Sequence, residues 1–188
     1  MVSESTLQAS YTDAFVIDAG CACGTILKGF KSVMGVDLSE YMVKMGRAHF
    51  GYSERELVIS SITDIPVESE TASLVHSHHV LEHIPAELID SILDEFVRVL
   101  RPGGRAFICL PAVRHGESKD KYMGDPTHVN IKPLSYWDEK FHSKGLVFDL
   151  EAYCRFVRSR RGPTAGDPRS FFERHIGWNV WTLRRVSG

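Results

Sequence analysis

The sequence predicts an α/β domain built on a doubly wound sheet, and three observations carry that reading. Short apolar runs of strand length alternate with helical patterns along the chain. The first run, Phe15-Val16-Ile17, is of the kind found in a strand covered on both faces. It ends at Asp18 and passes through Gly20 and Gly24 into Ile26, Leu27 and Phe30, which return at helical spacing. Strand, bare loop and helix start together form a ligand-binding turn at the carboxyl edge of a parallel sheet. The two glycines let the backbone approach that ligand where a Cβ would obstruct it.

The other elements follow in order. Residues 1–13 are a short polar tail, the first strand covers 14–19 and the first helix 24–31. A second strand over 33–37 ends at Asp37, and Ser39 is a good N-cap for a helix to Phe50. Met42, Met45 and His49 share one face of that helix, so His49 reads as a packing residue. A third strand at 56–60 is closed by Pro66, and a fourth covers 72–77. Pro85 opens the most regular helix, striped by Leu88, Ile89, Ile92, Leu93, Phe96, Val97 and Leu100 and ended by Pro102-Gly103-Gly104. The fifth strand is 106–110, and residues 111–133 form a polar loop too long to be a mere connector. A helix over 134–144, a late strand over 146–157, a Pro/Gly-rich loop at 162–170 and a last strand at 178–186 complete the chain.

Bulk numbers exclude several classes. The 188 residues are about one domain's worth, and 43% apolar content is enough for a core. A net charge of −2 and no basic face with interleaved aromatics argue against a nucleic-acid partner. No run approaches the roughly 18 apolar residues of a membrane span, and the first twelve residues lack the apolar stretch of a secretion signal. Cys21, Cys23, Cys109 and Cys154 form no paired C-x-x-C units, so free thiols in a reducing cytoplasm are expected. Cys21-x-Cys23 lacks the second half of a metal site, and no metal is expected.

The ligand class follows from charge. Asp18 and Asp37 flank the glycine turn, and two carboxylates repel a pyrophosphate but not a cationic ligand. VIDAGCACG followed by GVDLSEYMV resembles motifs I and II of class I S-adenosylmethionine (SAM)-dependent methyltransferases. His78-His79-Val80-Leu81-Glu82-His83-Ile84-Pro85 resembles the V-L-E-H-I-P signature of the methyltransferase type 11 group, and R-V-L-R-P-G-G at 98–104 is another phrase of that family. GDPTHVNIKPLSYW is similar to a segment that precedes its last helix.

The resemblance implies a Rossmann-like sheet of seven strands, mostly parallel, with an antiparallel last strand beside the fifth and helices on both faces. It implies SAM as cofactor and S-adenosylhomocysteine (SAH) as product. Asp18, Gly20, Cys21 and Gly24 would line the turn, Asp37 would take the ribose and Leu38 the adenine face. Asp64 would accept the adenine amino group, with the Ile65 N–H facing a ring nitrogen, and His78 and His79 would stand at the amino group of SAM. The family's N-terminal lid helices would have little room here; the N-terminal segment reads as a solvated tail, with Tyr11 as the candidate for what remains of the lid.

On the acceptor side, His128 is the first choice for a base or substrate anchor, followed by His115 and His79, with Arg114, Tyr122 and Asp125 as substrate contacts. A hydroxyl acceptor needs a base; a carboxylate or phosphonate needs an arginine instead. His79 and His83 are four apart, a metal-ligand spacing on a helix, but the signature accounts for both. There is no N-P-P-Y-like segment after the fourth strand and no separate substrate domain. The expected acceptor is therefore a small molecule, in a cleft walled by 111–133 and 157–175. A monomer and a homodimer both remain open, as do a domain that binds SAM or SAH without turnover and, more remotely, a nicotinamide oxidoreductase.

Overall fold

The structure is a computed structural model that describes residues 14–113, 116–161 and 179–186, the side chains of 121 and 156–161 excepted. Seven strands form one sheet: β1 (Phe15–Ala19), β2 (Ser32–Asp37), β3 (Leu57–Ile59), β4 (Ala72–His78), β5 (Leu100–Leu110), β6 (Leu146–Phe148) and β7 (Asn179–Arg185). Their order is β3-β2-β1-β4-β5-β7-β6. The first five pair in parallel, and β7 runs antiparallel between β5 and β6. From β1 the chain moves outward through β2 and β3, then returns to the other side of β1 at β4. That reversal opens a crevice at the carboxyl ends of β1 and β4.

Strand β1 is buried on both faces because its side chains alternate between two cores. Val16 joins Leu27, Phe30, Val43, Leu57 and Phe107, whereas Ile17 and Ala19 join the larger cluster of Leu93, Phe96, Trp137, Phe141 and Trp181. Among the described residues four α-helices pack on the sheet: α1 (Glu40–Phe50), α2 (Ile89–Val99), α3 (Leu134–Ser143) and α4 (Leu150–Arg161). None among the described residues is long and apolar enough to cross a membrane.

Helix α1 starts where expected, with the Met42 N–H donating to Ser39 Oγ at 3.3 Å. Its packed face is Val43 and Gly46, however, while Met45 and His49 are exposed. A Cβ on Gly46 would lie 2.7 Å from Leu57 Cδ2 and would also meet the Cys23 carbonyl, so α1 rests directly on the glycine turn.

Three expectations are corrected. Residues 24–31 form only a 3₁₀ turn, Thr25–Gly29, because the chain is extended again at Phe30 and enters β2 at Ser32. Residues 146–157 are a three-residue strand followed by α4. Asp149 caps that helix, its Oδ1 accepting the Ala152 N–H at 2.9 Å. Strand β5 begins at Leu100 and runs through Pro102-Gly103-Gly104, with a register shift opposite β4 between Ala72 and Leu74.

Candidate cofactor and acceptor site

The turn after β1 is wound by three left-handed residues, Gly20 (φ 77°), Ala22 (φ 49°) and Gly24 (φ 77°). Its amides bond inside the fold. Gly20 and Cys21 N–H both donate to the Val36 carbonyl, at 2.9 and 3.1 Å, and Gly24 N–H donates to the Cys21 carbonyl at 2.8 Å. Ala22 N–H donates to Asp37 Oδ2 and Ser39 N–H to Asp37 Oδ1, both at 2.8 Å. Two backbone donors thus fix the Asp37 carboxylate at the rim, and each oxygen retains a lone pair for a ligand.

Asp18 is buried and accepts His76 Nδ1–H at 2.7 Å. Its carboxylate therefore acts through the negative potential of the turn and does not project into the crevice. Burial, with Asp18 and Asp37 close by, pushes the Cys21 thiol far above its usual range, so it stays neutral. Its sulfur packs where a Cβ on Gly35 would come within 2.8 Å, so Cys21 lines the turn from the core side.

Leu38 stands beside Asp37 with 71% of its surface exposed. Ile65 does not fit its expected role, since its N–H donates to buried Glu95 Oε1 at 2.6 Å and faces the interior. Asp64 is exposed, and its carbonyl accepts Ser60 Oγ–H at 2.7 Å. The residues that reach the rim beside Asp37 are Ser60, whose N–H donates to the Asp37 carbonyl at 3.1 Å, and Ser61. The pairing of Asp37 with Ile59 places both serines at that edge, a signal visible only once the strand register is known.

At the end of β4, His78 and His79 form an edge-to-face ring pair 4.5 Å apart. His79 takes φ 56°, its N–H bonds the Cys109 carbonyl at 2.8 Å, and its Nδ1 meets Glu82 Oε1 at 2.8 Å. The loop after β5 is clipped onto the next turn, Leu81–His83: Val129 and Asn130 N–H both donate to the Glu82 carbonyl at 3.0 Å. Asn130 is buried and its Nδ2 donates to the Leu81 carbonyl at 3.3 Å. That clip brings His128 to His83, their ring centroids 4.9 Å apart. His128 Nδ1 lies 2.6 Å from the Tyr122 carbonyl and His83 Nδ1 2.8 Å from Thr127 Oγ1. Asp125 Oδ1 accepts both the N–H and the hydroxyl of Thr127, which hold its carboxyl below the usual range.

The structure therefore gathers His79, Tyr122, Asp125 and His128 on one side of the crevice. Arg114, His115 and Tyr11 lie outside the described residues. Neither Asn130 nor Glu82, the acid of the V-L-E-H-I-P phrase, is expected as a site residue from the sequence alone.

Residues 17–108 match the family model described as a methyltransferase domain. Over that stretch the chain is similar to the methyltransferase family, and the sheet order around it is that of a Rossmann-like fold. Its fold is shared, at TM-score 0.72 and 15% identity, with the YcgJ protein of Bacillus subtilis, over 99% of both chains. Geranyl diphosphate C-methyltransferase from Streptomyces coelicolor A3(2), solved with Mg2+, geranyl diphosphate and SAH, aligns at TM-score 0.69 and 17% identity over 97% of this chain and 79% of that one. In sequence, a demethylmenaquinone methyltransferase from Clavibacter sepedonicus is 35% identical over an alignment of 98 residues that covers 48% of this chain and 38% of that protein. The chain thus spans less than half the length of that curated relative. SAM is the cofactor of the methyltransferase family.

Proposed function

We propose that this domain moves the methyl group of SAM to an oxygen or nitrogen of a small-molecule acceptor by in-line displacement. The observation that carries the reading is the Asp37 carboxylate, held by the Ala22 and Ser39 amides between the glycine turn and exposed Leu38. That placement suits a ribose diol with an adenine ring laid on the leucine.

The sulfonium supplies the activated methyl group; the protein supplies position, and alignment of the nucleophile behind the methyl carbon can lower the barrier by about 7–11 kcal/mol. The acceptor would sit against His79 and His128, with Tyr122 and Asp125 shaping the loop and Arg114 and His115 contributing from the same segment. His128 turns Nδ1 to a carbonyl, so Nε2 is the atom that can meet an acceptor. We read the sequence as one such domain working in the cytoplasm as a monomer or homodimer, with 111–133 and 157–175 on the acceptor side. An anionic acceptor would use the arginines of those segments.

The test is calorimetric titration with SAM and SAH of the wild-type protein and of Asp37→Asn, followed by methyl transfer to a panel of small acceptors. Micromolar binding, weakened at least tenfold in the variant, with turnover of an acceptor, is the expected result. Binding without turnover on any acceptor would favour a non-catalytic SAM-binding role. Loss of neither ligand in Asp37→Asn would remove the proposed ribose contact.

A further inference from the structure

We propose that Glu82, His83 and His128 bind a divalent transition-metal ion of the zinc class beside the acceptor side of the crevice. The inference goes beyond methyl transfer and rests on that reading only for what the ion would do.

One ligand atom from each of the three residues lies within 4.8 Å of the other two. An ion bonded at about 2.0–2.2 Å needs donors about 3–3.5 Å apart, a gap that small rotations of two half-buried rings can close. The juxtaposition is a product of the fold: the Val129 and Asn130 amides on the Glu82 carbonyl carry His128 across to the turn after β4.

A second observation points to a cation. Glu82 is 0% exposed, and while Oε1 takes His79 Nδ1, its Oε2 has no hydrogen-bond partner among the described residues. A buried carboxylate oxygen left unmatched is costly, and a bound cation satisfies it.

The histidines are set for ligation as well. A carbonyl can only accept, so the Tyr122 oxygen fixes the proton of His128 on Nδ1 and leaves the Nε2 lone pair open. The Thr127 carbonyl, 3.3 Å from His83 Nδ1, acts on His83 in the same sense. Imidazoles oriented this way by carbonyl oxygens are typical of metal ligands. Asp125 Oδ2, 3.9 Å from His128 Nε2, adds negative potential. Two imidazoles and one carboxylate select zinc, cobalt or ferrous iron over magnesium or calcium, which take oxygen ligands. With the ion bound, the His128 Nε2 lone pair is taken by the metal, and His128 would act on the acceptor through that ion, whose open coordination positions would face an oxygen-bearing group and polarise it. This set differs from the His79–His83 pair suggested by sequence spacing, because Leu81–His83 is a 3₁₀ turn and His79 is turned onto Glu82 instead.

The test strips the full chain with chelator and titrates it with Zn2+ by calorimetry and with Co2+ by visible absorption. One equivalent should bind with submicromolar affinity. His83→Gln and His128→Gln should each weaken binding at least tenfold with unchanged circular dichroism, and exposed His142→Gln on α3 should leave it unchanged. Glu82→Gln should also weaken it, but that side chain is buried beneath His79 and the variant can unfold, so the histidine variants decide. Absence of stoichiometric binding, or binding indifferent to both histidines, would overturn the proposal. So would a cobalt–thiolate charge-transfer band, which would place the ion on the adjoining His78, His79 and Cys109 group. SAM titration of the stripped protein tests the cofactor reading separately.

Discussion

Replacing Gly20 by alanine tests how the glycine turn is built. Gly20 has φ 77°, and a Cβ there would lie 2.5 and 2.7 Å from the two γ-methyls of Val80. The left-handed backbone costs an L-residue about 1–2 kcal/mol. Forcing a methyl into the occupied space costs about 1–3 kcal/mol more. Gly20→Ala should therefore lose about 2–5 kcal/mol, a large share of the stability of an ordinary domain. Val80→Ala removes two half-buried methyls and should cost about 1–2 kcal/mol. In the double variant the steric part disappears while the backbone part stays, so the two changes should couple favourably by about 1–3 kcal/mol. Urea unfolding of the four proteins reads the cycle, and SAM titration shows whether the turn still binds. Wild-type stability in Gly20→Ala would refute the close approach of turn and Val80. Strict additivity would assign the whole cost to backbone conformation.

Ala22 occupies the left-handed region without being glycine, at φ 49°, so Ala22→Gly should gain about 0.5–1 kcal/mol net of added chain entropy, seen as a raised Tm. Leu38→Ala should weaken SAM binding about 5- to 30-fold in calorimetry, from about 1–2 kcal/mol of lost apolar contact, and leave stability nearly unchanged. Arg98 donates to both Glu95 oxygens at 2.7 and 2.8 Å and to the Ile65 and Val67 carbonyls, both at 2.9 Å, so Arg98→Leu should cost about 3 kcal/mol in urea unfolding. The same guanidinium holds the Glu95 carboxyl below its ordinary value of 4.5, so its stabilisation is full above that pH and is lost as pH falls below it. Wild-type stability should drop more steeply than that of Arg98→Leu between about pH 5 and 3.

What the sequence reveals depends on how far apart the partners lie. The β1 turn and the acid ending β2 are legible because apolar run, glycines and acids are neighbours along the chain. The helix expected at 24–31 fails on length: five residues lie between Gly24 and Phe30, too few to repay helix nucleation without a side-chain cap. The strand expected at 146–157 fails because Asp149 is an N-cap, and a cap outweighs an apolar alternation. The Ile65 amide reads as a ligand contact in sequence because its actual partner, Glu95, comes from a helix thirty positions on. His83 and His128 meet only because two loops are clipped together through the Glu82 carbonyl.

The amides of the turn also explain why it suits SAM better than a dinucleotide. A pyrophosphate site works by aiming unpaired N–H groups at the ligand. Here the N–H groups of Gly20, Cys21, Ala22 and Gly24 all bond within the fold, and one of them is spent on a carboxylate. No α-helix follows to add a dipole, only the 3₁₀ turn Thr25–Gly29. What faces the crevice is closely approaching backbone, the negative potential of Asp18 behind it, and the Asp37 carboxylate at its rim. A ligand with a sulfonium and an ammonium gains from that potential, whereas two phosphates would lose. The departure from a dinucleotide site is therefore electrostatic as well as steric, and it is set by residues within twenty positions of one another.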